Sequence, residues 1–101
     1  MKTMLDEMLM EEYNRSLRAQ KAKRAALINL PKGNLREKKI GNNIYFYLQW
    51  REGSHVRNKY VRKEHIESVR EQISYREDIM ISLQNIDHDI KNLRRALKIN
   101  E

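Results

Sequence analysis

The chain has 101 residues, of which 40% are hydrophobic and 35% are charged. This length allows one domain at most, so we predict a single domain over residues 1–101 built from helices that each bury one apolar stripe. The sequence contains no cysteine, which excludes disulfides and thiolate metal sites. No apolar run approaches the roughly 20 residues that a membrane span needs. We therefore expect a soluble, cytoplasmic protein.

The net charge of +7 is concentrated in the middle of the chain. Residues 15–63 contain fourteen Lys or Arg and only two acids, whereas the remainder contains seven and twelve. Such a density of positive charge favours a polyanionic partner or an acidic protein surface. The alternative is a solvated helix face that balances the acidic ends of the chain.

The first predicted element is a helix over residues 4–29. Thr3 is a suitable N-cap, and Asp6 then lies in the first turn, where the helix dipole favours negative charge. Pro31 and Gly33 predict a turn after this helix, because the residue before a proline is disfavoured in the α region.

A three-stranded antiparallel meander is predicted over residues 35–62. Glycine and asparagine tolerate the positive φ of tight turns, and they separate three runs of strand-forming residues, at 35–40, 44–51 and 55–61. A long helix over 64–98 follows, so the predicted fold class is α+β.

The middle strand holds four of the seven aromatic residues of the chain. With a period of two, Ile44, Phe46, Leu48 and Trp50 are predicted to face the core, and Tyr45, Tyr47, Gln49 and Arg51 to face the other way. Tyr45 and Tyr47 are candidates for stacking on nucleic-acid bases, with Arg51, Arg57 and Lys59 as phosphate contacts. The alternative is that these rings only pack the sheet. The full set of predicted partner-binding or nucleic-acid-binding residues is Arg15, Arg18, Lys21, Lys23, Arg24, Lys32, Arg36, Lys38, Lys39, Tyr45, Tyr47, Arg51, Arg57 and Lys59.

The C-terminal helix carries an apolar stripe with the alternating four- and three-residue steps of a coiled coil. Its members are Ile79, Leu83, Ile86, Ile90, Leu93 and Leu97. The stripe is too long to be buried on a small sheet, and it allows either an intramolecular helical hairpin or a homodimer. We favour the homodimer, because the N-terminal helix has a poorer stripe after Leu17.

No chemistry-bearing motif is recognisable in the sequence. The three histidines are scattered, at 55, 65 and 88, and no nucleophile–base pair or phosphate-binding glycine loop is present. We expect no metal site, no cofactor and no enzymatic activity.

The segments Leu30-Pro31-Lys32-Gly33, Ile40-Gly41, 45–53 and Lys59-Tyr60-Val61 resemble a small uncharacterised family of bacteria, archaea and their mobile elements. The resemblance covers residues 27–97, and its most specific part is the tyrosine-rich strand. The whole chain also resembles small anti-CRISPR proteins of phages and mobile elements of Gram-positive bacteria, in size, basic charge and layout.

The second resemblance implies a non-enzymatic inhibitor in the bacterial host cell. Its partner would be the type II RNA-guided nuclease or its guide RNA, and it would interfere with guide loading. Two alternatives are a general DNA- or RNA-binding accessory protein of a mobile element and an adaptor that binds an acidic protein.

Overall fold

The computed structural model describes residues 3–98 of the chain. The elements follow the order helix, three strands, helix, so the predicted α+β class is confirmed. The chain divides into two compact units. Among the described residues, the helical unit combines 3–29 with 78–98, and the sheet unit is Leu30–Glu77.

Helix α1, Met4–Leu27, begins at a capping box. The Thr3 hydroxyl accepts a hydrogen bond from the Asp6 backbone N–H at 3.1 Å, and the Asp6 carboxylate accepts one from the Thr3 N–H at 3.1 Å. These bonds pair N–H groups that the first helical turn leaves without partners. The helix ends at Leu27 rather than at residue 29, because the chain turns at residue 28 on its way to Pro31.

Helix α2, Ile66–Leu97, follows a short 3₁₀ turn at Lys63–His65. Within the helical unit its C-terminal part runs antiparallel to α1. The Gln20 amide donates a hydrogen bond to the Asp87 carboxylate at 2.6 Å, and the Arg94 guanidinium donates one to the Tyr13 hydroxyl at 3.1 Å. The earlier residue of α1, Tyr13, contacts the later residue of α2, Arg94, and the later residue Gln20 contacts the earlier residue Asp87. This is the antiparallel pairing of a helical hairpin.

The apolar stripe of α2 forms the core of the helical unit. Ile79, Leu83 and Ile90 are buried within the single chain. Ile86, Leu93 and Leu97 are half-buried. The structure therefore has the intramolecular hairpin, the alternative that the sequence analysis ranked second, because α1 supplies the partner helix. A homodimer is not needed to bury this stripe, and the oligomeric state stays a prediction.

The predicted meander is present in the sheet unit. Strands β1 (Asn34–Ile40), β2 (Asn43–Glu52) and β3 (His55–Val61) form an antiparallel sheet in the order β1-β2-β3. Two-residue turns that each open with a glycine join the strands, at residues 41–42 and 53–54. Loops this short fix the register of both hairpins.

One face of the sheet carries the core of the sheet unit. Leu48 and Val61 are buried on it, and the Arg70 guanidinium at the start of α2 lies 5.6 Å from the Phe46 ring centroid. The first part of α2 therefore packs on this face. The core role predicted for Ile44 is wrong, since its side chain is 57% exposed. Ile44 lies beyond the last β2–β3 pair, where β3 supplies no neighbour.

Candidate nucleic-acid interface

The register of the sheet determines which side chains share its second face. Residues that pair directly across antiparallel strands point to the same side, and Tyr47 pairs with Arg36 on β1 and with Tyr60 on β3. The same rule, followed along the strands, gives the face that we call the tyrosine face. Its members are Asn34, Arg36, Lys38, Ile40, Asn43, Tyr45, Tyr47, Gln49, Arg51, Val56, Asn58 and Tyr60.

Three tyrosine rings lie together on this face. The Tyr60 ring centroid is 5.7 Å from that of Tyr47 and 6.3 Å from that of Tyr45, with interplanar angles of 63° and 57°. Tilted ring pairs of this kind contribute about 0.5–1.5 kcal/mol beyond the burial of their area. Tyr60 is nevertheless 51% exposed, and Tyr45 and Tyr47 are only half-buried. Part of each ring is therefore accessible to a ligand.

The tyrosine face is positively charged and carries no carboxylate among its members. Arg36, Lys38 and Arg51 lie on it, and all three are exposed. The two acids of the sheet, Glu37 and Glu52, alternate to the opposite face. This alternation leaves the members of the tyrosine face with a net positive charge, so the face favours an anionic ligand.

An ion pair and an indole hydrogen bond lie on the opposite face. The Glu52 carboxylate accepts a hydrogen bond from the Trp50 indole N–H at 3.1 Å and another from the Arg57 guanidinium at 3.3 Å. The indole hydrogen bond, assisted by the nearby positive charge, lowers the pKa of Glu52 below its usual value of 4.5. Arg57 is thus engaged with a carboxylate on the face that packs against α2.

The sequence analysis expected Arg57 and Lys59 to lie beside Tyr45 and Tyr47, and this expectation is wrong. Arg57 pairs with Trp50 and Lys59 with Leu48, so both lie on the core face. The reason is the period-two alternation of β3, which places neighbours of Tyr60 on the other side of the sheet. Lys39 likewise alternates away from the tyrosine face.

The predicted basic residues of α1 belong to the helical unit. Four are exposed and Lys23 is half-buried; the exposed ones are Arg15, Arg18, Lys21 and Arg24. Arg15 forms an ion pair with Glu12 at 3.4 Å. Helical geometry places Arg15 and Arg18 on the side of α1 away from Tyr13 and Gln20, which contact α2, and places Lys21 beside that side. Lys32 is exposed in the loop before β1.

Several members of the tyrosine face were missed by the sequence analysis as binding residues, among them Asn34, Gln49, Asn58 and Tyr60. The Gln49 side-chain amide donates a hydrogen bond to the Asn58 side-chain oxygen at 3.1 Å. The sequence feature that could have identified Tyr60 and Asn58 is the two-residue turn at 53–54, because it sets the β2–β3 register. That turn pairs Glu52 with His55 and, through the register, brings Tyr47 opposite Tyr60.

Other kinds of site were searched for in residues 3–98. No group of three or more His, Asp or Glu side chains in that range is arranged to hold a metal ion. No helix in the described part of the chain has the length and apolar character needed to cross a membrane.

Comparison with known proteins places the chain in a family without an assigned activity. A family model described as a domain of unknown function, DUF6788, matches residues 9–71. No curated protein and no solved structure shows a significant match. The matched range contains the whole sheet, so it includes every member of the tyrosine face.

Proposed function

The chain belongs to the DUF6788 family, and we propose that it binds single-stranded nucleic acid through the tyrosine face. The observation that carries the proposal is the combination of three accessible tyrosine rings with three cations and no acid on one side of the sheet. Aromatic rings on an open sheet stack unpaired bases, and flanking cations hold the phosphates. A folded duplex does not expose the base faces that such rings need.

The rings and the cations have separable roles. Base stacking on an aromatic side chain contributes about 1–3 kcal/mol per base. Each phosphate contact instead makes the affinity depend on salt. For a single strand, each contact steepens the fall of log K with the logarithm of the salt concentration by roughly 0.7. The opposite face of the sheet offers matched substitutions that leave the tyrosine face intact.

The first test measures binding of fluorescent single-stranded RNA, single-stranded DNA and duplex by anisotropy. We expect Tyr47→Leu to weaken single-strand binding roughly 5- to 150-fold. Tyr75→Leu is the control, because Tyr75 is also exposed, at 54%, but lies on α2. Equal loss in both variants, or duplex binding as tight as single-strand binding, contradicts the stacking role.

The second test examines the charge. Lys38→Gln should reduce the salt slope by about 0.7, whereas Lys59→Gln, on the core face, should leave it unchanged. Both lysines are exposed, so the comparison isolates the face on which the charge lies. Absence of any single-strand binding at low salt refutes the proposed function as a whole.

Inhibition of a type II RNA-guided nuclease is our second proposal. Its support is the resemblance of the chain to anti-CRISPR proteins, together with an exposed basic side of α1 that adds to the charge available for RNA. We expect the protein to reduce DNA cleavage when it is added to apo nuclease before the guide RNA, and to have less effect on loaded nuclease. Unchanged cleavage at an excess of the protein refutes this proposal and leaves general single-strand binding intact.

A further inference from the structure

A row of three side-chain amides crosses the tyrosine face. Asn34 on β1 pairs with Gln49 on β2, and Gln49 pairs with Asn58 on β3. We call these three residues the amide row. The row lies two residues along each strand from the row that contains Tyr47, a distance of about 7 Å. The edge of a base stacked on that ring can therefore reach the amides.

The amide row has unused hydrogen-bonding capacity. Each side-chain amide has two N–H donors and one acceptor oxygen, and the single bond from Gln49 to Asn58 uses one donor and one acceptor. The Gln49 oxygen and the Asn58 N–H groups remain available. Rotating both amides so that Asn58 donates gives an equivalent set of donors and acceptors. The Asn34 amide makes no hydrogen bond among residues 3–98.

A surface depression joins two residues of the amide row to the ring and to two of the cations. Its volume is about 380 Å³, and it is lined by Arg36, Glu37, Lys38, Tyr47, Gln49 and Asn58. The depression thus offers a ring to stack a base, amides to pair with its edge and cations to hold the adjacent phosphate. These are the components of a nucleobase site.

We infer that the amide row reads the base stacked on Tyr47 and selects adenine. The inference rests on the proposed single-strand binding. Asparagine and glutamine amides pair in a bidentate manner with the amino group and adjacent ring nitrogen of adenine. One amide can also pair with uracil, through the uracil N3–H and a carbonyl oxygen, but uracil offers only this one N–H, whereas the adenine amino group offers two to the oxygens of neighbouring amides. A purine also stacks on Tyr47 over a larger area than a pyrimidine.

The test compares oligoadenylate, oligocytidylate and oligouridylate of equal length by fluorescence anisotropy. The wild-type protein should bind oligoadenylate roughly tenfold more tightly than oligouridylate. Gln49→Met and the double variant Gln49→Met/Asn58→Leu remove the amides and keep similar side-chain volumes. The variants should lose the adenine preference, because their affinity for oligoadenylate should fall by a larger factor than their affinity for oligouridylate. Gln72→Met, an exposed position on α2, is the matched control and should keep the preference.

The outcomes separate this inference from the proposed function. Equal binding of all three oligonucleotides, or an adenine preference that survives in the double variant, refutes the role of the amides in base selection. Neither result contradicts the proposed single-strand binding. A preference for cytosine or uracil overturns the assignment of adenine. Failure of every oligonucleotide to bind the folded wild-type protein refutes the proposed function and the inference together. Circular dichroism of each variant establishes that the sheet is still formed.

Discussion

Gly33 marks the point where the chain enters β1 and passes closest to β2. Its φ is +95°, and a Cβ added there would lie 2.0 Å from the Gln49 carbonyl oxygen and 2.8 Å from the Trp50 Cβ. Both neighbours belong to the central strand, so neither can rotate away as the end of a flexible side chain could. We predict that Gly33→Ala strongly destabilises the sheet unit.

The magnitude follows from two contributions. A non-glycine residue at positive φ costs about 1–2 kcal/mol. Relieving the overlap requires the Gln49 carbonyl to move, which strains the Asn34 end of the β1–β2 ladder and adds about 1–3 kcal/mol, as overpacking does elsewhere. We therefore expect a loss of roughly 3 kcal/mol in the free energy of unfolding.

Gly41→Ala is the matched control. Gly41 also has a positive φ, +62°, but nothing lies within 4 Å of the added Cβ. Gly41→Ala should therefore lose only the stability that the strained backbone costs. Replacing glycine also makes the unfolded chain less flexible, and this stabilising contribution is common to both variants. Urea unfolding should give a midpoint for Gly33→Ala about 1 M below that of Gly41→Ala. Equal midpoints would refute the close approach of β1 to Gln49.

Three further predictions concern other parts of the molecule. The chain has a single tryptophan, so fluorescence emission from Trp50 should report protonation of Glu52, with a midpoint below pH 4.5. Because folding lowers the pKa of Glu52, its ionised carboxylate stabilises the fold above the pKa of the unfolded state, and this stabilisation is lost as pH falls through the pKa of the folded state. Glu52→Gln should abolish the emission change. Ile79→Ala should cost about 2–5 kcal/mol in chemical unfolding, because Ile79 is 1% exposed, whereas Ile81→Ala, at a position that is 58% exposed, should change stability by about 0.5 kcal/mol or less. Light scattering over a concentration series should show a monomer if the hairpin alone buries the α2 stripe; a dimer at every concentration would instead support the homodimer favoured from the sequence.

Local signals in the sequence were sufficient for the elements of the fold. The Thr3 N-cap, the turn before Pro31 and the two glycine turns act over a few residues, so their effects are visible without a structure. The alternation on β2 was read correctly for Leu48. It failed for Ile44, because burial at the end of a strand depends on whether a neighbouring strand and a helix extend that far.

The candidate site needed the pairing of strands. Tyr45 and Tyr47 were identified from their alternation. Of the three cations predicted to accompany them, Arg51 shares their face, but Arg57 and Lys59 lie on the other side of the sheet. Register brings in Arg36 and Lys38 from β1 and Tyr60 from β3. Register also lines up the amide row, whose members are spread over the three strands.

The sequence by itself determined the order of the elements, their approximate bounds and the concentration of positive charge in the middle of the chain. These properties follow from hydrophobic periodicity, turn chemistry and composition, which are local. Tertiary structure decided that α1 covers the stripe of α2 and that the tyrosines share a face with cations and amides. Both outcomes depend on contacts between residues distant in sequence, where several pairings satisfy the same local pattern and packing selects one of them.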